Sequence, residues 1–320
     1  MRIRVSAITN LQSEILMSRA VHRFALLVAI ATFFLIIAGA NVTSHDAGLA
    51  TSDWPLSNGQ VFPRMVGNLF WEHGHRLVAT TVGLLTIALA IVLQIRERRS
   101  WVKRLGWVAL GGVIAQGLLG GLTVKMNLPL AVSAAHATLA QLFFLTTVSL
   151  AVFTSRSWML EPAGRLAEKR TASLRRFCLI ACAAIFVQLI LGAVLRHSAT
   201  WDQFLPTGLL AAHIAGALVV ALTVGTSVVV TLRNYLSEKY LSRPAILVGI
   251  LLLVQLALGV ITYFARAASP NDPQPLNPMI SLTVAHVAGG ALVFAATILL
   301  TLRAYRVLRI DERAYVLAPA

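Results

Sequence analysis

Long apolar runs separated by short polar segments dominate the pattern of this chain. Runs of about 20 residues, the length that crosses a bilayer as an α-helix, recur eight times. Hydrophobicity within each run is continuous rather than alternating, which argues against a membrane β-barrel. The pattern therefore predicts an all-α integral membrane protein with eight transmembrane helices, at 21–42, 75–95, 104–124, 133–153, 175–195, 208–232, 244–264 and 281–303.

Basic residues are unequally divided between the two sides of this arrangement. Of the 27 lysines and arginines, 22 lie in the termini and in the segments that follow each even-numbered span. Because positive loops stay inside, both termini are predicted to be cytoplasmic. The net charge of +15 is thereby explained by topology and anionic lipid, and it does not indicate a nucleic-acid partner.

The longest predicted outer loop, about 42–74, is rich in turn-forming residues. It also carries Trp54, Leu56 and Phe62, which suggest that the loop folds back on the membrane surface. We therefore expect this loop to fold back as a structured lid.

A repeated motif relates the two parts of the chain. Gln-x-x-Leu-Gly begins at Gln116, Gln188 and Gln255, and each copy is followed by a loop and by a histidine about one turn into the next span. A looser copy, LIIAG at 35–39, precedes His75. The repeat predicts two tandem four-helix bundles, 1–155 and 175–320, joined by a cytoplasmic linker at 156–174 and related by a pseudo-twofold axis along the membrane normal.

Four of the eight histidines share one predicted depth near the outer face, namely His75, His136, His213 and His286. Small residues follow three of them. These residues either let helices pack closely, with the histidine bonding across the interface, or clear a face for a macrocycle whose iron the histidines ligate. Zinc usually takes at least three protein ligands, whereas each half offers two histidines. Haem iron is therefore the favoured metal.

The histidine pairs differ in their polar neighbours. The residues next to His213 and His286 in the sequence are apolar, which is typical of the site of a haem that relays electrons. In the N-terminal half, Glu72 lies about 40° from Arg76 around the helix of His75. Glu72 could move protons, and Arg76 could be its partner or could pair a haem propionate. The alternative interpretation is an interfacial ion pair at a helix start.

His73 is predicted to point away from His75, toward lipid headgroups or the loop, because it lies about 200° from it around the helix. The asymmetry between the halves predicts a reaction site in the N-terminal half and an electron-transfer site in the C-terminal half.

Several segments together resemble the haem A synthase family over about 20–305: TSHDAGLATSDWPLSNGQVFP, EHGHRL, AAHATLAQ, AAHIAGAL and VAHVAGGAL. The resemblance implies a haem-dependent membrane oxidoreductase that converts haem O to haem A for haem–copper oxidases. One methyl group would become a formyl group by successive hydroxylations. It also implies haem b on His213 and His286, and haem O between His75 and His136, with Glu72 essential to catalysis.

The same resemblance implies partners: a haem O synthase that supplies haem O, an unidentified electron donor, and the assembly of a terminal oxidase. Homo-oligomerisation stays open. Many family members carry a cysteine pair in an outer loop, whereas Cys178 and Cys182 fall in the fifth predicted span, so a disulfide relay is not expected. Two competing functions are a non-catalytic di-haem electron-transfer protein of cytochrome b type and a haem transporter or chaperone.

Overall fold

A computed structural model describes residues 2–168, 171–198, 206–268 and 277–310. The helices within these ranges are α1 Arg2–Ser44, α2 Asn68–Arg96, α3 Ser100–Lys125, α4 Leu130–Thr154, α5 Arg156–Leu160, α6 Thr171–Ser198, α7 Thr207–Tyr235, α8 Lys239–Ala267 and α9 Asn277–Val307. Two short strands, β1 Leu166–Glu168 and β2 Leu308–Ile310, pair in parallel.

Eight of these helices, all but α5, are long and apolar enough to cross a membrane. The predicted all-α membrane architecture with eight spans is therefore confirmed. The helices extend beyond the predicted apolar runs because polar residues at their ends add further turns, and α2 begins at Asn68 rather than at residue 75. A helix satisfies its own backbone hydrogen bonds, which is what a segment in lipid requires.

Contacts among the spanning helices repeat in the two parts of the chain. The helices α1–α4 contact one another in a ring, and α6, α7, α8 and α9 do the same in the corresponding order. One apolar core, with Val82, Leu89 and Leu150 almost fully buried, fills the first ring. A second core, around Val224 and Val248, fills the other and takes in Leu145 from α4.

The two rings meet where α1 and α4 contact α9 and where α4 contacts α6. Ile36, Phe144 and Ala291 form a small buried cluster there, and the ring of Phe33 lies 5.9 Å from that of Phe144. The division into two halves with a pseudo-twofold relation stays a prediction.

The predicted linker, 156–174, contains structure that the sequence pattern did not indicate. It forms the short helix α5 and strand β1, whose Leu166 pairs with Leu308 of β2. Arg165 forms ion pairs with Glu161 and Glu238, and its hydrogen bond is the main cause that lowers the pKa of Glu238. The linker is thereby attached to the C-terminal helices. Residues 169 and 170 of this linker lie outside the described residues.

Candidate functional site

Each of the four predicted histidines lies near the start of a spanning helix. His75 is in α2, His136 in α4, His213 in α7 and His286 in α9. They lie roughly two to two and a half turns into their helices, deeper than the predicted single turn, because the helices begin before the apolar runs do. All four lie at the same end of the bundle, hereafter the histidine side, which also carries the 45–67 loop between α1 and α2.

A glycine on the preceding helix faces each histidine ring. A Cβ atom built on any of these glycines would lie 3.0–3.2 Å from the Cε1 atom of its histidine, which is tighter than ordinary van der Waals contact. The glycine–histidine pairs are Gly39–His75, Gly120–His136, Gly192–His213 and Gly259–His286. The glycine of the repeated motif therefore lets the two helices approach closely enough for the imidazole to lie between them.

The C-terminal histidines face each other. The ring centroids of His213 and His286 are 6.3 Å apart, with an interplanar angle of 74°. A metal–imidazole bond of about 2 Å, and about 1 Å more from nitrogen to centroid, place two rings on opposite sides of one metal about 6 Å apart. The spacing of this pair therefore fits two axial ligands of a haem iron.

A glutamine side chain packs on each ring of the C-terminal pair. The Nε2 atom of Gln188 lies 3.1 Å from Nδ1 of His213 and donates to the His213 carbonyl oxygen at 2.9 Å. The Nε2 atom of Gln255 likewise lies 3.1 Å from Nδ1 of His286. Both glutamines begin copies of the repeated motif, so the motif supplies both a close helix contact and a polar neighbour for the ring.

Glycines three residues after the C-terminal histidines make room for these glutamines. A Cβ atom would lie 2.1 Å from Oε1 of Gln188 at Gly216, and 2.3 Å from Oε1 of Gln255 at Gly289. The sequence pattern allowed close helix packing or a face cleared for a macrocycle. The structure gives these two glycines a third role, since a larger residue would displace the glutamine that contacts the histidine.

The N-terminal pair has fewer polar neighbours. The Nδ1 atoms of His75 and His136 are buried without a hydrogen-bond partner, and the two rings lie within electrostatic reach of each other. Gln116 donates to the His136 carbonyl oxygen at 3.0 Å. Two half-buried imidazoles, each with a buried Nδ1 atom that has no hydrogen-bond partner, fit the ligation of a haem iron between α2 and α4.

Glu72 is a buried carboxylate one turn before His75. It is 4% exposed, forms an ion pair with Arg76 and accepts a 3.0 Å hydrogen bond from the backbone N–H of Thr51. The ion pair predicted from helix geometry is therefore present. A buried charge this well partnered is expensive to assemble, which favours a functional role for it.

Arg76 also holds the 45–67 loop. Besides Glu72, its guanidinium donates to the carbonyl oxygens of Asp53 at 2.9 Å and Leu56 at 2.6 Å, and to Oγ of Ser57 at 3.1 Å. One arginine thus links the carboxylate beside His75 to three positions of the loop.

His73 faces the loop, as the helical wheel predicted among its two options. Its Nδ1 atom lies 2.9 Å from Oγ of Ser57, and its Nε2 atom lies 3.0 Å from the Val61 carbonyl oxygen. It is only 3% exposed, a degree of burial that the sequence pattern did not indicate. The loop therefore folds back onto the start of α2 as expected for a structured lid.

Asp53 organises the interior of the same loop. Its carboxylate accepts hydrogen bonds from the backbone N–H groups of Gly59 at 2.8 Å and Asn58 at 2.9 Å, and from the Thr51 hydroxyl. The bond from Gly59, followed by that from Thr51, holds the pKa of Asp53 well below its usual range. The carboxylate therefore stays ionised, and the turn stays closed, at any pH above the usual range for aspartate.

Trp54 carries the loop across to α3. Its ring packs on Gly121, where a Cβ atom would lie 2.6 Å from the indole. The neighbouring Gly120 faces His136, so the loop contacts both α2, which carries His75, and α3, which packs against His136.

Replacing Gly121 by valine is expected to displace Trp54 and to loosen the loop. Overpacking of a close contact costs roughly 1–3 kcal/mol, so backbone amides in 45–67 should exchange hydrogen about tenfold faster or more. Hydrogen exchange measured by mass spectrometry tests this. Gly117→Val is the matched control, because nothing lies within 4 Å of a Cβ atom at that position of the same helix. Equal protection in both variants would show that Trp54 does not hold the loop.

Among the residues that the structure describes, no group of three or more His, Cys, Asp and Glu side chains lies together. Both cysteines are free thiols in α6, in the predicted fifth span. The histidines occur as pairs on facing helices, which is the arrangement that a bundle uses to hold a haem.

Fold and site together define a multi-pass α-helical membrane protein with two intramembrane histidine pairs, one of them beside a buried Glu–Arg pair. The COX15-CtaA family, described as a cytochrome oxidase assembly protein, matches residues 65–207, which include Glu72, His75 and His136. The resemblance to haem A synthases is confirmed by curated relatives over most of the chain.

The haem A synthase of Bacillus licheniformis is 25% identical over 272 residues, covering 78% of this chain and 88% of that protein. The haem A synthase of Halalkalibacterium halodurans is 28% identical over 267 residues, covering 76% of this chain and 87% of that protein. A protoheme IX farnesyltransferase of Haloarcula marismortui is 44% identical over 64 residues, which are 20% of this chain and 14% of that protein. Over about three quarters of its length, the chain is thus similar to proteins named haem A synthase.

Proposed function

We propose that this chain oxidises the methyl group of haem O to the formyl group of haem A by successive hydroxylations, for use in haem–copper oxidases. The observation that carries the proposal is the buried Glu72–Arg76 pair, which lies beside one histidine pair and has no counterpart among the described residues at the other. A simple electron relay has no use for a costly buried charge pair at one of its two sites.

The histidines divide into two ligand sets in this proposal. His213 and His286 would hold haem b, because the spacing of their rings fits one metal ion between them and a glutamine packs on each ring. His75 and His136 hold the substrate haem O beneath the lid. Haem b, when bound, supplies one-electron transfer at the C-terminal site.

Glu72 is the residue to which we assign proton transfer. One of its oxygens pairs with Arg76 and the other accepts the Thr51 N–H, so the carboxylate is fixed in one orientation. The side chain can hold a proton and return it one turn from His75 while the 45–67 loop excludes water from the site. The guanidinium of Arg76 pairs with Glu72 and donates to three positions of the 45–67 loop, so we assign Arg76 to orienting Glu72.

The proposed setting is a bacterial cytoplasmic membrane with both termini in the cytoplasm, as the distribution of basic residues predicts. Haem O would come from a haem O synthase, and the local similarity to a protein named protoheme IX farnesyltransferase supports this pathway context. The electron donor is a separate partner, and the product serves terminal oxidase assembly, in line with the description of the matching family.

Haem A should appear in cells that express the chain together with a haem O synthase. Its absence, with haem O accumulating unchanged and haem bound at both histidine pairs, would instead support the di-haem relay of cytochrome b type.

A further inference from the structure

The four histidines differ in how firmly their neighbours fix the imidazole. In the C-terminal pair, each ring has a glutamine Nε2 atom at 3.1 Å from Nδ1, and a glycine three residues later makes room for the amide. We call each such glutamine with its glycine a clamp: Gln188 with Gly216, and Gln255 with Gly289.

The N-terminal pair lacks this arrangement, partly at His136 and wholly at His75. At His136 the glutamine of the clamp is present as Gln116, but Leu139 occupies the position of the clamp glycine. The described hydrogen bond of Gln116 goes to the main-chain carbonyl oxygen of His136 and not to its ring. At His75 both parts are replaced, since Leu35 stands at the glutamine position and Val78 at the glycine position. The buried Nδ1 atoms of both N-terminal histidines lack hydrogen-bond partners.

Orientation of a ligand ring affects how tightly a metal is held. Residues that contact a metal-binding histidine fix its ring, and their loss typically costs 10–100-fold in affinity. A ring that is already fixed also loses less conformational freedom on binding. A site with two clamps should therefore retain its haem, whereas a site without a complete clamp should release its haem more readily.

We propose that the two clamps make the C-terminal haem a resident group, and that the incomplete clamps at His136 and His75 make the N-terminal haem exchangeable, as a substrate and product must be. Gln188 and Gln255 are positioning residues in this account, acting through the histidines. The inference rests on the proposed function, because it assigns substrate exchange to the N-terminal site.

Haem loss from the purified, haem-loaded protein tests the clamps directly. The protein in detergent micelles is mixed with excess apomyoglobin, and haem b and haem O are distinguished by their pyridine haemochrome spectra. Wild type should lose the N-terminal haem first. Gln188→Leu and Gln255→Leu should each speed loss of the C-terminal haem about tenfold. They should also shift the midpoint potential of the low-spin haem, which a general loss of packing at a distance would not do.

A matched control separates clamping from the cost of removing any amide. Gln94→Leu removes a glutamine that accepts a 3.1 Å hydrogen bond from Trp107, at the end of α2 away from the histidines. Its haem loss and midpoint potential should equal those of wild type. Equal rates and potentials in the control and in both clamp variants would overturn the proposal.

Transfer of a clamp to the other half tests the proposal without touching the C-terminal site. The double change Leu35→Gln with Val78→Gly supplies both parts beside His75. Loss of the N-terminal haem should then slow about tenfold. An unchanged rate in a variant that still binds haem at both pairs would contradict the proposal.

These results are distinct from a failure of the proposed function. A chain that makes no haem A but loses its two haems in the predicted order would retain the clamps and lose the enzyme assignment. If the chain makes haem A but its clamp variants lose haem at the same rate as the control, the enzyme assignment is kept and the clamp proposal is rejected.

Discussion

Replacing Glu72 by glutamine is expected to abolish haem A formation while leaving haem b bound. Glutamine keeps the size of the side chain and can still accept the Thr51 N–H bond, but it cannot take up and return a proton. Loss of a general acid–base group lowers rates by about 10²–10⁴-fold, so haem A should fall below one hundredth of the wild-type amount. Extracted haems are separated by liquid chromatography, and the reduced spectrum of the purified protein reports bound haem b.

The control for this substitution is Glu97→Gln at the opposite end of α2. Glu97 pairs with Arg99 at 2.8 Å, as Glu72 pairs with Arg76, so the control also breaks a Glu–Arg ion pair of the same chain. Haem A should be unaffected by it. Normal haem A from the Glu72→Gln protein would remove the carboxylate from the mechanism and leave it as an interfacial ion pair.

Substituting alanine for His213 or His286 is expected to remove the low-spin haem b spectrum. Each change would remove one of the two proposed iron ligands from a pair with a centroid spacing of 6.3 Å, and one histidine alone would not give a low-spin haem. The dithionite-reduced spectrum of the purified protein measures this, and the characteristic low-spin bands should fall by more than tenfold.

His22→Ala provides the control, because His22 lies at the opposite end of the bundle, with Nδ1 3.0 Å from the Ala151 carbonyl oxygen. It should leave the spectrum unchanged. If the low-spin bands vanished only in a His75→Ala protein, the assignment of the two halves would be reversed, with haem b in the N-terminal half.

Much of the fold could be predicted because the bilayer imposes simple rules. A spanning helix needs a continuous apolar run, so the eight spans could be read directly from the chain. Local helix geometry was also sufficient to predict the Glu72–Arg76 ion pair, since side chains four residues apart lie on one face of a helix. His73 was likewise assigned to the other face, where the loop covers it.

Contacts between segments that are distant in sequence could not be predicted from span length and helix periodicity. The repeated glutamine and glycine were visible as a motif, but their contacts with the histidines depend on the distance between packed helices. The same holds for Arg76, whose bonds to the 45–67 loop require the loop to fold back first. The pairing of β1 with β2 joins residues about 140 apart, and three-residue strands leave no periodic signal.

Haem composition of membranes is the most direct test of the proposed enzyme. Cells that lack other haem A synthases would express a haem O synthase alone, this chain alone, both together, or both with the Glu72→Gln change. Haem A is expected in acid–acetone extracts only when haem O synthase and the unchanged chain are present together. Haem O without haem A in that sample, from cells whose purified protein carries haem at both histidine pairs, would contradict the proposed function.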